Sequence, residues 1–215
     1  MAKRIYISPS DQWSNPTPSG HSEAHHCTLI AEALSEILTS MGYETRVGDN
    51  SVEGTYIARA GESNDWLADI HIPIHTNAGG GDGCVVFCHS NSLENPYVKS
   101  VYAKLSALTP TQDDGIREYN GLYEIKHTKA PCVYVECEFH DNPTTEAWID
   151  NNIWNIADAI AKGIAEVDGV PIPEKPENAN IKYLVQVGAY AKKENAENMV
   201  RIMKDMGYTA IIKER

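Results

Sequence analysis

The stretch "DIHIPIHTNAGGG", Asp69 to Gly81, decides how this chain is read. Ile70, Ile72 and Ile74 alternate with His71, Pro73 and His75, which is the two-residue period of a β-strand with one apolar face. At about 3.3 Å per residue the two histidines stand roughly 13 Å apart on the same face, too far to share a metal ion. His75, at the C-terminal end of the strand, is placed to reach a site; His71, deeper in the strand, needs a different explanation. Asn77 and the glycines Gly79, Gly80 and Gly81 follow where the strand would open onto a site rim.

Working outward, Arg4 to Ser8 reads as a short strand, followed by a loop rich in Ser, Pro, Asn and Gly up to Gly20. A helix is expected from about Ser22 to Met41: Leu29, Ala33, Leu34, Ile37, Leu38 and Met41 recur at helical spacing, and Gly42 stops it. Glu44 to Val47 reads as a strand, Val52 to Leu67 as a helix, "CVVFC" (Cys84 to Cys88) as a strand and Tyr97 to Leu108 as a helix. "GLYEI" and "PCVYVECEF" read as two further strands, and Thr144 to Val167 as a long helix. Strands alternating with helices predict an α/β fold, a largely parallel mixed sheet flanked by helices. At "DGVPIPEKPENAN", residues 168–180, prolines and charges mark a linker. Beyond it "YLVQVGAY", the helix Lys193 to Met206 and "TAIIK" form a small C-terminal β-α-β unit over residues 181–215, too short to bury a core alone.

The net charge is −12 and the pI about 5.0, which argues against a nucleic-acid surface. No run is long enough to span a membrane, and "MAKRIYISPSDQ" lacks an apolar stretch of signal-peptide length. These features lead to the expectation of a protein made in the cytoplasm without a signal peptide. Cys27, Cys84, Cys88, Cys132 and Cys137 are an odd number without zinc-finger spacing and read as free thiols.

The groups that can carry chemistry are few. His75 closes a strand, Glu23 opens the first helix, and Glu136 and Glu138 point to one face of another strand. A buried carboxylate is costly unless it is paired or bound to a cation. Each also has an ordinary structural reading: a hydrogen-bonded strand-end histidine, a glutamate favoured by the helix dipole, and solvated first-turn residues at His25 and His26. Cys137 lies between two glutamates, whose charge makes it a poor thiolate. There is no G-x-S-x-G elbow and no phosphate loop. The residues by themselves define an α/β protein with a possible His/Glu metal site.

Three ordered segments add a resemblance. "ADIHIPIHTNAGGGDG" is similar to the "D-x-x-x-S-I-H-x-N-A" segment of the zinc-dependent N-acetylmuramoyl-L-alanine amidases of the amidase-3 group. "APCVYVECEFHDNPTTEAWI" resembles that family's "P-x-V-L-V-E-x-G-F-x-x-N" segment, and "EAHHCTLIAEALSEIL" its "E-x-x-x-N-L-x-I-A-x-x-L" helix. The resemblance runs from about Lys3 to Val167, within a catalytic domain placed at residues 1–167. The tail at 181–215 resembles one half of a SPOR domain, a module that binds peptidoglycan glycan strands.

The resemblance implies a peptidoglycan hydrolase that cuts the amide between N-acetylmuramic acid and L-alanine. It implies a Zn2+ cofactor held by Glu23 and His75, Glu136 as the catalytic base, and Asn77 as a substrate-binding residue at the rim; Glu138 replaces the family's glycine and is a further substrate-binding candidate. The family's first metal-binding histidine is replaced here by "SPSDQ", so Asp11 becomes a candidate third ligand, with His26, on the Glu23 face of the helix, as its rival. "SPSDQ" and "EFHD" resemble phage or prophage endolysins, which implies release at lysis and action on the cell wall. A metal-less wall-binding protein and a metallopeptidase acting on peptidoglycan crosslinks are the alternatives.

Overall fold

The structure, a computed structural model, describes residues 2–111, 114–172 and 192–205. The chain divides into two units, Met1–Pro173 and Glu174–Arg215. The first is built on a six-stranded sheet of order β2-β1-β3-β6-β4-β5. Its strands are β1 (Arg4–Pro9), β2 (Glu44–Val47), β3 (Ile70–Asn77), β4 (Val85–Cys88), β5 (Gly115–Glu118) and β6 (Tyr134–Phe139). Neighbouring strands run parallel except β4 against β6. The helices of this unit are α1 (Glu23–Ser40), α2 (Tyr56–Asp65), α3 (Pro96–Ser106), α4 (Tyr123–His127) and α5 (Pro143–Asp168). The architecture is the α/β arrangement expected from the sequence, a largely parallel mixed sheet flanked by helices.

Register separates the two faces of the sheet. Ile5 pairs with Ile70, Ile7 with Ile72, and Ile74 with Val135. These side chains share the main apolar core with Leu34 and Leu38 of α1, Val98 and Val101 of α3, and Ile156 and Ile160 of α5. On the other face Tyr6 pairs with His71 and His75 with Glu136. That face carries polar groups, and α2 and α4 bring Arg59, Glu62 and Glu124 onto it. All the residues of β3 except Asn77 are buried, as befits a central parallel strand covered on both faces. A register shift between His75 and Asn77 breaks the β3–β6 ladder, the kind of irregularity that re-aims side chains beside a site.

Local chemistry explains the helix ends. Ser22 caps α1, its hydroxyl accepting from the His25 N–H at 3.2 Å. The backbone carbonyls of Asn15 and Gln12 take the Glu23 and Ala24 N–H groups, so the loop after β1 wraps the start of α1. Asn142 caps α5, Pro143 occupies its first turn, and Gly169 ends it at φ +66°, a left-handed conformation that suits glycine.

Two sequence expectations are corrected. "GLYEI" is not a strand; Tyr123–His127 form the short helix α4. Tyr123 and Ile125 flank Glu124 with the alternation of a strand, but the helical turn puts the Glu124 carboxylate on His71, a tertiary contact that overrides local pattern. Gly115–Glu118 is an unforeseen strand; it lies at the sheet edge, where charged side chains are tolerated and hydrophobic alternation is absent. The helix expected from Val52 starts at Tyr56. In the second unit the described element is the helix α6 (Lys193–Asp205). The strands expected at "YLVQVGAY" and "TAIIK", and most of the 168–180 linker, lie outside the described residues.

Candidate active site

The site lies at the carboxyl ends of β1, β3 and β6, where side chains of an open parallel sheet converge with the start of α1. Glu23, the first residue of α1, is 2% exposed, and its Oε1 lies 2.8 Å from His75 Nδ1. Asn15 Nδ2 donates to Glu23 Oε2 at 2.8 Å, and Gln12 Nε2 approaches Oε1 at 3.4 Å. Glu136 is the register partner of His75 on β6, and its Oε2 is buried without a hydrogen-bond partner. Tyr134, two residues before Glu136 and so on the same face, stacks on the His75 ring at 4.5 Å and 19°. The ring fixes the plane of the imidazole.

Charge in this pocket is unevenly held. Burial resists ionisation of Glu23, but the hydrogen bond and charge of His75, with hydrogen bonds from Ser10 and Asn15, outweigh it and hold the carboxyl below its ordinary range. Burial works against the His75 cation, yet the Glu23 hydrogen bond and the charges of Glu136, Glu23 and Glu124 raise its pKa. Glu136 is pushed up to about 7, first by burial, with the His75 charge opposing and the Glu23 charge adding to the rise. Two carboxylates with pKa values driven apart around one imidazole are the pattern of groups with different tasks.

The remaining sequence candidates stand elsewhere. Asp11 does not join Glu23 and His75: its Oδ2 accepts from Thr55 Oγ1 at 3.0 Å and from the Tyr56 N–H at 3.2 Å, at the start of α2, and lies 3.5 Å from Arg59 Nη1. His26 shares the α1 face of Glu23 in sequence, but its Nε2 lies 2.9 Å from Asp150 Oδ1 on α5. Glu138 is fully buried and accepts from the Gly83 N–H (2.7 Å), the Phe139 N–H (3.0 Å) and Thr111 Oγ1 (2.8 Å), contacts that hold the flanking loops to β6. Asn77 ends β3, its Oδ1 accepting from the Ala78 N–H at 2.9 Å. The glycine rim beyond it is pinned by Asp141 Oδ2, which accepts the N–H groups of Gly79 and Gly80 at 2.7 and 2.8 Å. Both glycines have positive φ, +119° and +75°, which leaves their N–H groups free to turn onto one carboxylate.

His71 lies beneath the site, its Nε2 3.1 Å from Glu124 Oε1 and its ring stacked on Tyr6 at 5.4 Å. Glu124 also accepts from Ser8 Oγ and lies 4.0 Å from Arg59 Nε, while Arg59 Nε donates to Ser8 Oγ at 2.7 Å. This buried network locks β1, β3, α2 and α4 together. Sequence reasoning missed Asn15, Tyr134, Asp141 and Arg59. Of these, Tyr134 carried a signal: it lies two residues from Glu136 on an alternating strand.

An imidazole nitrogen and a carboxylate oxygen, two donors that zinc accepts, converge here, and a buried carboxylate oxygen on the neighbouring strand lacks a partner.

The fold and this acid–imidazole pocket define an α/β domain with a hydrolytic type of site. Residues 11–166 match the N-acetylmuramoyl-L-alanine amidase family (Amidase_3), and the chain belongs to that family. Residues 179–215 match the SPOR domain. The chain is 23% identical over 218 residues to the sporulation-specific N-acetylmuramoyl-L-alanine amidase of Bacillus subtilis (strain 168), covering 97% of this chain and 84% of that protein. It is 26% identical over 172 residues to the N-acetylmuramoyl-L-alanine amidase CwlM of Bacillus licheniformis, covering 78% of this chain and 65% of that protein. Its fold is similar to the catalytic domain of CwlV, the N-acetylmuramoyl-L-alanine amidase of Bacillus (Paenibacillus) polymyxa var. colistinus. That match has a TM-score of 0.71 at 20% identity and covers 79% of this chain and 99% of that one.

Proposed function

We propose that the chain hydrolyses the amide between N-acetylmuramic acid and the L-alanine of the peptidoglycan stem peptide, with Glu136 as general base and then general acid. The observation that carries this reading is the unpartnered, buried Oε2 of Glu136 beside the Glu23–His75 pair. A carboxylate with a free lone pair there takes the proton of the attacking water as the water oxygen bonds to the carbonyl carbon. The same carboxyl then gives the proton to the departing L-alanine nitrogen as the C–N bond breaks. Burial favours this cycle by bringing its pKa close to neutrality.

Glu23 and His75 would hold the zinc ion, and the Gln12 side-chain amide lies beside Glu23, its nitrogen 3.4 Å from Oε1. The chemistry zinc supplies when bound is positive charge that polarises the scissile carbonyl and acidifies water. Asn15 and Ser10 orient the Glu23 carboxylate, and Tyr134 holds the imidazole plane. The Gly79–Gly80 rim lets a glycan strand approach the backbone closely, and the SPOR match supports delivery to peptidoglycan.

The test is digestion of purified peptidoglycan by the full chain, with and without chelator, reading which residue gains a free amino terminus. New L-alanine amino termini that vanish on chelation and return with Zn2+ are expected. Termini on another residue would make it a crosslink peptidase. The placement of Asp11 away from the pair favours a second reading, a wall binder without bound metal. Binding without cleavage would establish that reading.

A further inference from the structure

A second set of metal-binding groups stands where α1 meets α5. His26 lies in the first turn of α1, while Glu146 and Asp150 are four residues apart on α5 and so share one face of it. One ligand atom from each of the three lies within 4.8 Å of the other two. The imidazole is fully buried, Glu146 is buried and Asp150 is exposed, so the set forms a pocket sealed at the back and open to solvent at one side. His26 aims its Nε2 at Asp150, 2.9 Å away, and its Nδ1 is buried without a partner. No hydrogen bond or ion pair among the described residues joins this set to Glu23 and His75.

We propose that His26, Glu146 and Asp150 form a second divalent-cation site, of the zinc class, that fastens the start of α1 to α5. One imidazole nitrogen and two carboxylate oxygens are a donor set zinc accepts, with a fourth position left to water on the exposed side. Glu146 and Asp150 carry like charges one helical turn apart, an arrangement that repels unless a cation or donors relieve it. Ser19 relieves part of it, its N–H and Oγ donating to Glu146 at 3.0 and 2.5 Å. Among the described residues, the Asp150 carboxylate has the His26 imidazole alone as a hydrogen-bond partner. The rings of His21 and His25 lie nearby, centred 6.1 and 5.8 Å from that of His26. Because His26 lies three residues after Glu23, a cation here fixes the first turn of α1 and with it the direction from which Glu23 meets His75.

The experiment uses the full chain carrying Glu23→Gln and His75→Gln, so that failure of the proposed catalytic zinc does not affect the outcome. Zinc bound after equilibrium dialysis against Zn2+ is measured by elemental analysis, and thermal unfolding is followed with and without Zn2+. About one zinc per chain and a zinc-dependent rise in the melting midpoint are expected. Asp150→Asn in the same background should weaken zinc binding by about tenfold or more, since even outer-shell partners of a metal site are commonly worth about 10–100-fold. Asp150 is partly exposed, so this variant keeps the test valid if the buried His26→Gln chain fails to fold. No bound zinc, or binding as tight in Asp150→Asn and Glu146→Gln as in the parent, overturns the proposal.

Discussion

Asp11 Oδ2 lies 3.2 Å from the Tyr56 backbone nitrogen, so the acid after β1 serves the start of α2 and the buried Arg59. Losing it removes an acceptor from two helix-start donors and strips a counter-charge from a guanidinium that is 1% exposed. Asp11→Ala is therefore expected to destabilise the domain by about 1–3 kcal/mol without changing its zinc content. Urea unfolding beside metal analysis checks this. A variant of parental stability that has lost its zinc would return Asp11 to the ligand set.

Glu136→Gln keeps the volume of the side chain and removes the base. Cleavage of peptidoglycan should fall by about 10²–10⁴-fold, with folding and zinc content near those of the parent. Near-parental turnover in the purified variant would assign the proton transfer to another group.

How far the sequence carried the fold and the site can be traced to particular residues. The isoleucines of β3 lie on the core face and the histidines on the polar face, because strand period is a strong local signal. Glu23, His75 and Glu136 were legible as candidate site residues, each at an element end or on a polar strand face, and the structure brings them together. The destinations of Asp11, His26 and Glu138 were not legible. Each is set by a partner 44, 124 or 55 residues away, and no local pattern encodes such a contact. The helix at Tyr123–His127 escaped for the same reason, since Glu124 finds its partner His71 across 53 residues.

Gly163 lies in the middle of α5, where glycine is ordinarily a weak choice, about 0.5–1 kcal/mol worse than alanine. Here α3 demands it: a Cβ at this position would stand 2.6 Å from Val101 Cα and 2.8 Å from Val101 N. Backbone atoms cannot give way as a flexible side chain does. Gly163→Ala should destabilise the domain by about 1–3 kcal/mol, lowering the urea midpoint with the slope unchanged. A stabilised variant would mean that α3 and α5 pack less closely than they do here.

Removing metal should expose a pH dependence with a definite sign. Glu136, pushed up to about 7 from an ordinary 4.5, binds a proton in the folded chain that the unfolded chain has already released. Stability from this group is full below 4.5 and is lost as the pH rises from there through about 7. His75, raised above 6.5, acts in the same direction: its pairing with Glu23 is complete below the unfolded value and is lost as pH rises through the folded one. Glu23, held below 4.5, works the other way, contributing above that value and losing its contribution as the pH falls through the lower folded one. The chelated chain should thus unfold at a higher temperature near about pH 6 than near about pH 8, and Glu136→Gln should flatten the decline. Zinc binds neutral imidazole, so the stabilisation from added Zn2+ should grow across the same interval. Differential scanning calorimetry of chelated and zinc-loaded protein reads both effects. A chelated chain whose midpoint climbs between these two pH values would contradict the placement of Glu136 in a desolvated site beside Glu23.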